Sequence, residues 1–139
     1  MYLIDTDVLS HLRRRQREPN IVAWISAQRS SDLYLSAITI GEIERGIERQ
    51  RGKDKTFAQD LGVWLDRVMA LYGDRILRFD VETARCWGRL SARIGNNNAD
   101  LMIAATALEH GLYVVTRNTR HFTPCGVQAF DPAQPETWP

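Results

Sequence analysis

Residues Ala99 to Leu108 read Ala-Asp-Leu-Met-Ile-Ala-Ala-Thr-Ala-Leu, and this run constrains the fold more than any other. A helix that is apolar all round has to be buried. Yet Asp100 stands in its first turn, directly after Asn96-Asn97-Asn98, where the helix dipole favours a negative charge. Two readings of Asp100 are open. It can cap the helix, or it can be an acid held rigidly at the end of a buried element, as a metal site requires. Which one holds depends on whether other acids arrive beside it.

A buried helix needs layers on either side, and the rest of the chain supplies them. Tyr2-Leu3-Ile4 is a short apolar run that stops at Asp5-Thr6-Asp7, a buried strand with acids at its carboxyl end. Thr6 or Asp7 can cap the helix that follows, with Val8, Leu9 and Leu12 on its inner face. The basic run Arg13-Arg14-Arg15-Gln16-Arg17 is either a solvated helix end or a phosphate contact. Pro19 suits the first turn of a second helix. Leu33-Tyr34-Leu35 is a second strand ending at Ser36, and a helix carrying Glu42 and Gly46 on one face follows it. Phe57, Leu61, Trp64, Leu65, Val68, Leu71 and Tyr72 recur at helical spacing after a polar loop. Ile76–Phe79 is a third strand, and Val81, Ala84, Trp87, Leu90 and Ile94 mark another helix, closed by Gly95. Leu112–Thr116 is the fourth strand and Val127–Phe130 the fifth. The tail after Asp131 reads as irregular.

Short strands alternating with helices imply an α/β fold with a mostly parallel sheet of about five strands, helices covering both faces. At 139 residues the whole chain, 1–139, forms one domain. The net charge of +1 gives no global basic field, so any nucleic-acid surface has to be local. Cys86 and Cys125 lack metal-ligand spacing and read as ordinary thiols of a reducing compartment. No run is long enough to cross a membrane, and the chain opens on a strand without a signal-peptide pattern. The expected location is cytoplasmic.

Ligands of such sheets sit beyond the carboxyl ends of the strands. Asp5 and Asp7 follow the first strand; Ser36 and then Glu42 follow the second. Thr116, Arg117, Asn118 and Thr119 follow the fourth, and Asp100 opens the buried helix just before it. Asp5, Glu42, Asp100 and Asn118 can therefore meet on one edge. Carboxylates so placed repel one another, and one or more takes up a proton unless a divalent cation relieves the repulsion. Oxygen-only ligands favour Mg²⁺ or Mn²⁺ over zinc, and that chemistry suits phosphate. The histidines His11, His110 and His121 are scattered, and no Gly-rich phosphate loop or nucleophile elbow is present.

Four pieces in register now resemble the PIN-domain ribonucleases, specifically the VapC-type toxins of toxin–antitoxin pairs and their FitB-like subgroup. These are Leu3–Leu9, Leu35–Ile43 with Gly46, Ala99-Asp100 with its apolar helix, and Val115–Phe122. The resemblance implies a three-layer sandwich in which Asp5, Glu42 and Asp100 bind Mg²⁺ (or Mn²⁺). It implies hydrolysis of an RNA phosphodiester, leaving a 5′-phosphate and a 3′-hydroxyl, with Asn118 orienting water or filling the metal shell. Thr6, Asp7 and Ser36 would support the carboxylates, and Arg13, Arg15 and Arg117 would contact the RNA backbone. The implied partners are a second copy of the chain and a VapB-like antitoxin that lays an apolar helix in a groove. Operator DNA would be reached only through that antitoxin. Two positions depart from the family. The last motif often has an acid where Asn118 or His121 stands. Asp7 occupies a place often held by Asn or Ser, where it either restores charge or caps the helix.

Two other readings stay open on the sequence alone. The fold could persist as a binding protein with a decayed site, marked by Asn118. Alternatively, Asp5-Thr6-Asp7 after a strand resembles the haloacid-dehalogenase-type phosphatases, with Asp5 as nucleophile. That class also wants a downstream lysine and a late acidic pair, whereas Lys53 and Lys55 lie in a polar loop.

Overall fold

The strand carrying Asp5 lies at the centre of the molecule. In the computed structural model, which describes residues 1–139, β1 (Tyr2–Ile4) pairs with β2 (Leu33–Ser36) on one side and β4 (Tyr113–Val115) on the other. β3 (Ile76–Leu77) and β5 (Ala129–Phe130) complete the edges, giving the order β3-β2-β1-β4-β5 with every pairing parallel. The helices are α1 (Thr6–Leu12), α2 (Pro19–Ala27), α3 (Ala37–Arg51), α4 (Lys55–Tyr72), α5 (Val81–Ile94), α6 (Ala99–His110) and α7 (Thr119–Phe122).

The alternation of side chains along a strand divides the core into two layers. Ile4 and Val115 join Val8, Leu9, Ile21, Trp24, Ile43, Ile47 and Leu65 under α1 to α4. Leu3 and Val114 join Cys86, Leu90, Leu101, Ile103, Ala104 and Phe122 under α5, α6 and α7. Both sheet faces are covered, as a parallel sheet requires. The expected three-layer α/β sandwich is present.

The outer strands are shorter than their apolar runs. Arg78-Phe79 and Val127-Gln128 lie outside β3 and β5, because an edge strand has a partner on one side only. The centre runs longer: the Asp5 amide donates to Val115 O at 3.0 Å and the Thr116 amide to Phe130 O at 3.1 Å. These bonds fix the two residues that leave the sheet at its carboxyl edge.

Helix α6 is buried as its composition demands, from Ile103 through Ala107. Its alanines bring it close to α5, where Cys86 and Leu90 pack in the same core layer. The helix stops at Gly111, whose φ of +64° is left-handed and lets its amide reach Ala107 O and Leu108 O. A Cβ there meets nothing within 4 Å, so the cost of a side chain is conformational only. Gly111→Ala is expected to lower the unfolding free energy by about 1 kcal/mol in urea melts, with activity unchanged.

Of the four tryptophans, Trp24 is core, packed edge-on against Tyr2 and Phe130 at centroid distances of 4.8 and 5.0 Å. Trp64, Trp87 and Trp138 are half-buried. The tail is not wholly irregular: Pro135–Thr137 forms a short 3₁₀ turn and Trp138 Nε1 donates to Pro132 O.

Candidate active site

Asp5 leaves β1 buried, at 3% exposure, and turns at once into α1. Its Oδ1 accepts from the Thr6 amide at 2.8 Å, so Asp5 itself is the cap of α1 rather than Thr6 or Asp7. Its Oδ2 accepts from Thr116 Oγ1 at 2.8 Å, across the seam between β1 and β4. In this strand order that seam is where the chain reverses direction along the sheet, the place where open α/β folds build their sites.

Burial pushes the Asp5 carboxyl up to about 7, with the negative fields of Asp100 and Asp7 adding to it and the Thr116 and Thr6 bonds opposing it. Proton uptake by one acid is what the sequence predicts, but the leading cause differs. Desolvation outweighs like-charge repulsion, which follows from placing Asp5 at the sheet's central strand.

Glu42 arrives on α3, whose first turn is capped by Ser36: Ser36 Oγ accepts from the Ile38 amide at 3.0 Å. Ser36 therefore does not brace a carboxylate directly; it sets the start of the helix that carries one. Thr6 does brace one. Its Oγ1 stands 2.7 Å from Glu42 Oε1 and 2.9 Å from Thr39 Oγ1. With a single hydrogen, Thr6 donates to the carboxylate and receives from Thr39. Thr39 is fully buried one turn before Glu42.

Asp100 lies in the first turn of α6, and the capping role falls to Asn98, whose Oδ1 accepts from the Leu101 amide at 3.3 Å. The cap reading of Asp100 is thus set aside. The Asp100 carboxylate is free for other work, and its Oδ2 meets His121 Nδ1 at 2.8 Å. With Asp100 ionised, that ring nitrogen carries the proton. Asn118 is exposed, and its amide donates to Thr116 Oγ1 at 2.9 Å. Its side chain does not cap α7. One hydroxyl, Thr116, therefore ties Asp5 to the backbone of Asn118.

Asp7 does not cap α1, a role Asp5 takes, but its negative field does reach Asp5. Arg117 grips both oxygens of Asp7, Nε to Oδ2 at 2.8 Å and Nη2 to Oδ1 at 2.9 Å. This pairing holds the Asp7 carboxyl below its usual range and raises Arg117. Much of the charge of Asp7 is thereby offset locally, and the same fork engages part of Arg117.

Asp5 and Asp100 are thus electrostatic neighbours, Glu42 and Asp100 line one cavity, and Glu42 is joined to Asp5 through Thr6. As the side chains stand, no three of His, Cys, Asp and Glu close into a coordination group. The fit to a hard divalent ion rests on donor type and on charge. The acids offer only oxygen, and the Asp5 carboxylate is buried without a cation to offset it.

Sequence reasoning missed Thr39, Thr116 and the contact of His121. Thr116 carried a readable signal, a hydroxyl at the first position past an apolar strand. Thr39 carried none, since it acts through a partner distant in the chain, and His121 was marked only as a motif position where an acid often stands, not as a partner of Asp100.

A three-layer parallel sheet with acids gathered at its switch point defines a class of α/β domains that build their sites at that edge. A family model described as the PIN domain matches residues 2–124. The VapC ribonuclease Y4jK of Sinorhizobium fredii is 35% identical over 97% of this chain and 99% of its own. Toxin FitB of Neisseria gonorrhoeae is 34% identical over 95% of this chain and 98% of its own. The solved structure of FitAB bound to an IR36 DNA fragment superposes with a TM-score of 0.84 at 33% identity, covering 96% of each chain. The chain belongs to the PIN-domain family.

Proposed function

We propose that this protein is a metal-dependent endoribonuclease and the toxin of a toxin–antitoxin pair. The observation that carries this reading is the Asp5 carboxyl buried at the crevice without a cation beside it, in the field of Asp100, which shares a cavity with Glu42. Two relatives, one named a VapC ribonuclease and one a toxin, support it.

Asp5, Glu42 and Asp100 would hold Mg²⁺ or Mn²⁺. Bound there, the ion supplies positive charge against the phosphodiester and acidity to a water. The protein's own part is to fix the three acids. The Thr116 hydroxyl and Thr6 amide aim Asp5, Thr6 and Thr39 aim Glu42, and His121 aims Asp100. Such supporting bonds tune a metal site as much as its ligands do. Asn118 extends beyond Thr116 and would orient water. Arg13 and Arg15 follow the carboxyl end of α1, Arg117 pairs with Asp7 in its first turn, and all three would meet the RNA backbone.

The partner reading has a structural counterpart as well. Ile43, Ile47, Phe57, Leu61 and Trp64 line an apolar groove beside Thr6 and Glu42, with a volume of about 250 Å³. An antitoxin helix laid there would reach the acids. The DNA in the FitAB structure supports operator binding through the antitoxin. A homodimer is proposed on the family resemblance. No helix is long and apolar enough to cross a membrane.

Purified protein incubated with total RNA is expected to cut it when Mg²⁺ or Mn²⁺ is added and to leave it intact in excess chelator. The products should carry 5′-phosphates and 3′-hydroxyls. Binding of RNA without scission under every metal tested would instead favour a binding protein with a decayed site.

A further inference from the structure

The cleft between α3 and α6 holds a guanidinium, that of Arg45, with no ion-pair partner. Arg45 follows Glu42 by three positions, so the two side chains leave one face of α3. Glu42, Arg45, Asn97, Asn98, Asp100 and Met102 line a cavity of about 510 Å³. Arg45 is exposed and forms no ion pair. The acids three positions to either side of it, which share its face, are engaged elsewhere, Glu42 with Thr6 and Glu48 with Arg51 at 2.9 Å, and the adjacent Glu44 points to another face. The other arginines near the acids differ. Arg117 is gripped by Asp7, and the Arg13 guanidinium lies over the Phe57 ring at 5.3 Å, beside the separate apolar groove.

A rim of carboxylates repels an approaching phosphate chain, so the chain needs a cation within one nucleotide of the acids. A guanidinium fork matches two phosphate oxygens. Asn98 spends its carbonyl oxygen on the Leu101 amide, which leaves its amide hydrogens as donors into the cavity. Asn97 is exposed beside it.

We propose that this cleft is a phosphate subsite for single-stranded RNA, in which Arg45 takes the phosphate adjoining the scissile one and Asn97 and Asn98 contact its nucleotide. The proposal rests on the ribonuclease reading and adds the direction in which the substrate runs, over α3 and the start of α6. Arg45 is a binding residue here: it acts on affinity and leaves the chemistry to the acids.

The test uses a mixed-sequence single-stranded RNA oligonucleotide, with affinity measured by fluorescence anisotropy in an Asp5→Asn background at several salt concentrations. Arg45→Ala is expected to weaken binding about five- to tenfold at low salt. It should also flatten the slope of log affinity against log salt by about 0.7, the loss of one phosphate contact on a single strand. Arg45→Lys should recover the slope but only part of the affinity, since it keeps the charge and loses the fork. Arg85→Ala removes an equal charge from α5, where it faces Glu82, and should change binding less than about twofold. With Asp5 intact, Arg45→Ala should raise KM and leave kcat within about twofold. If Arg45→Ala binds with the parent's affinity and slope while the parent still cuts RNA, the subsite is refuted and the ribonuclease reading stands. If the parent neither binds nor cuts the oligonucleotide or total RNA under any metal, both fall together.

Discussion

Asp5→Asn is expected to abolish RNA cleavage and at the same time to stabilise the metal-free protein above neutral pH. The loss of activity should be at least about 100-fold, because under the proposed function the variant would lose a ligand to an ion worth several kcal/mol of transition-state charge. The gain in stability follows from linkage. The folded Asp5 carboxyl ionises near 7 while the unfolded one ionises near 3.8. Its folded pKa is raised, so the stability it contributes is fully present below about pH 4 and is lost as pH rises through 7. A shift of that size corresponds to roughly 4 kcal/mol over the window. The asparagine side chain does not ionise, so the difference between variant and parent should grow in the variant's favour from pH 4 to pH 8. The full 4 kcal/mol is an upper bound. Asparagine has one acceptor oxygen where Asp5 uses two, for Thr6 and for Thr116. Urea melts in chelator at several pH values would measure it. A difference that stays flat with pH would mean that Asp5 ionises as an ordinary surface carboxylate.

That trade of stability for a poised carboxylate is visible in the sequence only in outline. The apolar run before Asp5 announces a buried strand, and the polar residue after it announces a carboxyl edge. Neither shows that β1 is the central strand, and its central position is what buries Asp5. Strand order comes from the packing of helices that share no contact in the sequence, so the burial had to be seen. Asp100 was legible as an acid at the end of a buried helix. The choice between cap and ligand depended on Asn98, two positions earlier, which takes the capping bond itself. Glu42 was legible through its motif, and Thr6 as its support. The exchange between Thr6 and Thr39 needed the crossing of α1 and α3. Asp7 misled for the same reason: its partner, Arg117, lies 110 positions away. Contacts of that range leave no periodicity to read. The short edge strands are a further case, since hydrophobicity extends past the point where a partner strand stops.

Thr116 is where fold and site meet most closely, and Thr116→Val should disturb both. The side chain is fully buried. Its hydroxyl donates to Asp5 Oδ2 and accepts from the Asn118 amide, at 2.8 and 2.9 Å. Valine matches threonine in shape, so no cavity opens; what is lost is a donor and an acceptor. A buried carboxylate oxygen left without its donor costs about 1–3 kcal/mol. That cost is felt only while Asp5 is ionised. The hydroxyl also lowers the Asp5 carboxyl, so its removal drives that group further above 7. Three consequences separate this from simple loosening of the core. The destabilisation should be largest near pH 8 and shrink toward pH 5. The acid limb of the cleavage profile should move to higher pH, with a loss of roughly fivefold in rate at pH 7 for the first unit of movement and up to about tenfold for each further unit. Thr116→Ser, which loses a methyl group and keeps the hydroxyl, should retain the parent's pH profile while showing its own modest packing loss. Were the valine and serine variants to share one pH profile and differ only in melting midpoint, Thr116 would be packing alone, and Asp5 would be held by its burial and the Thr6 amide without help from β4.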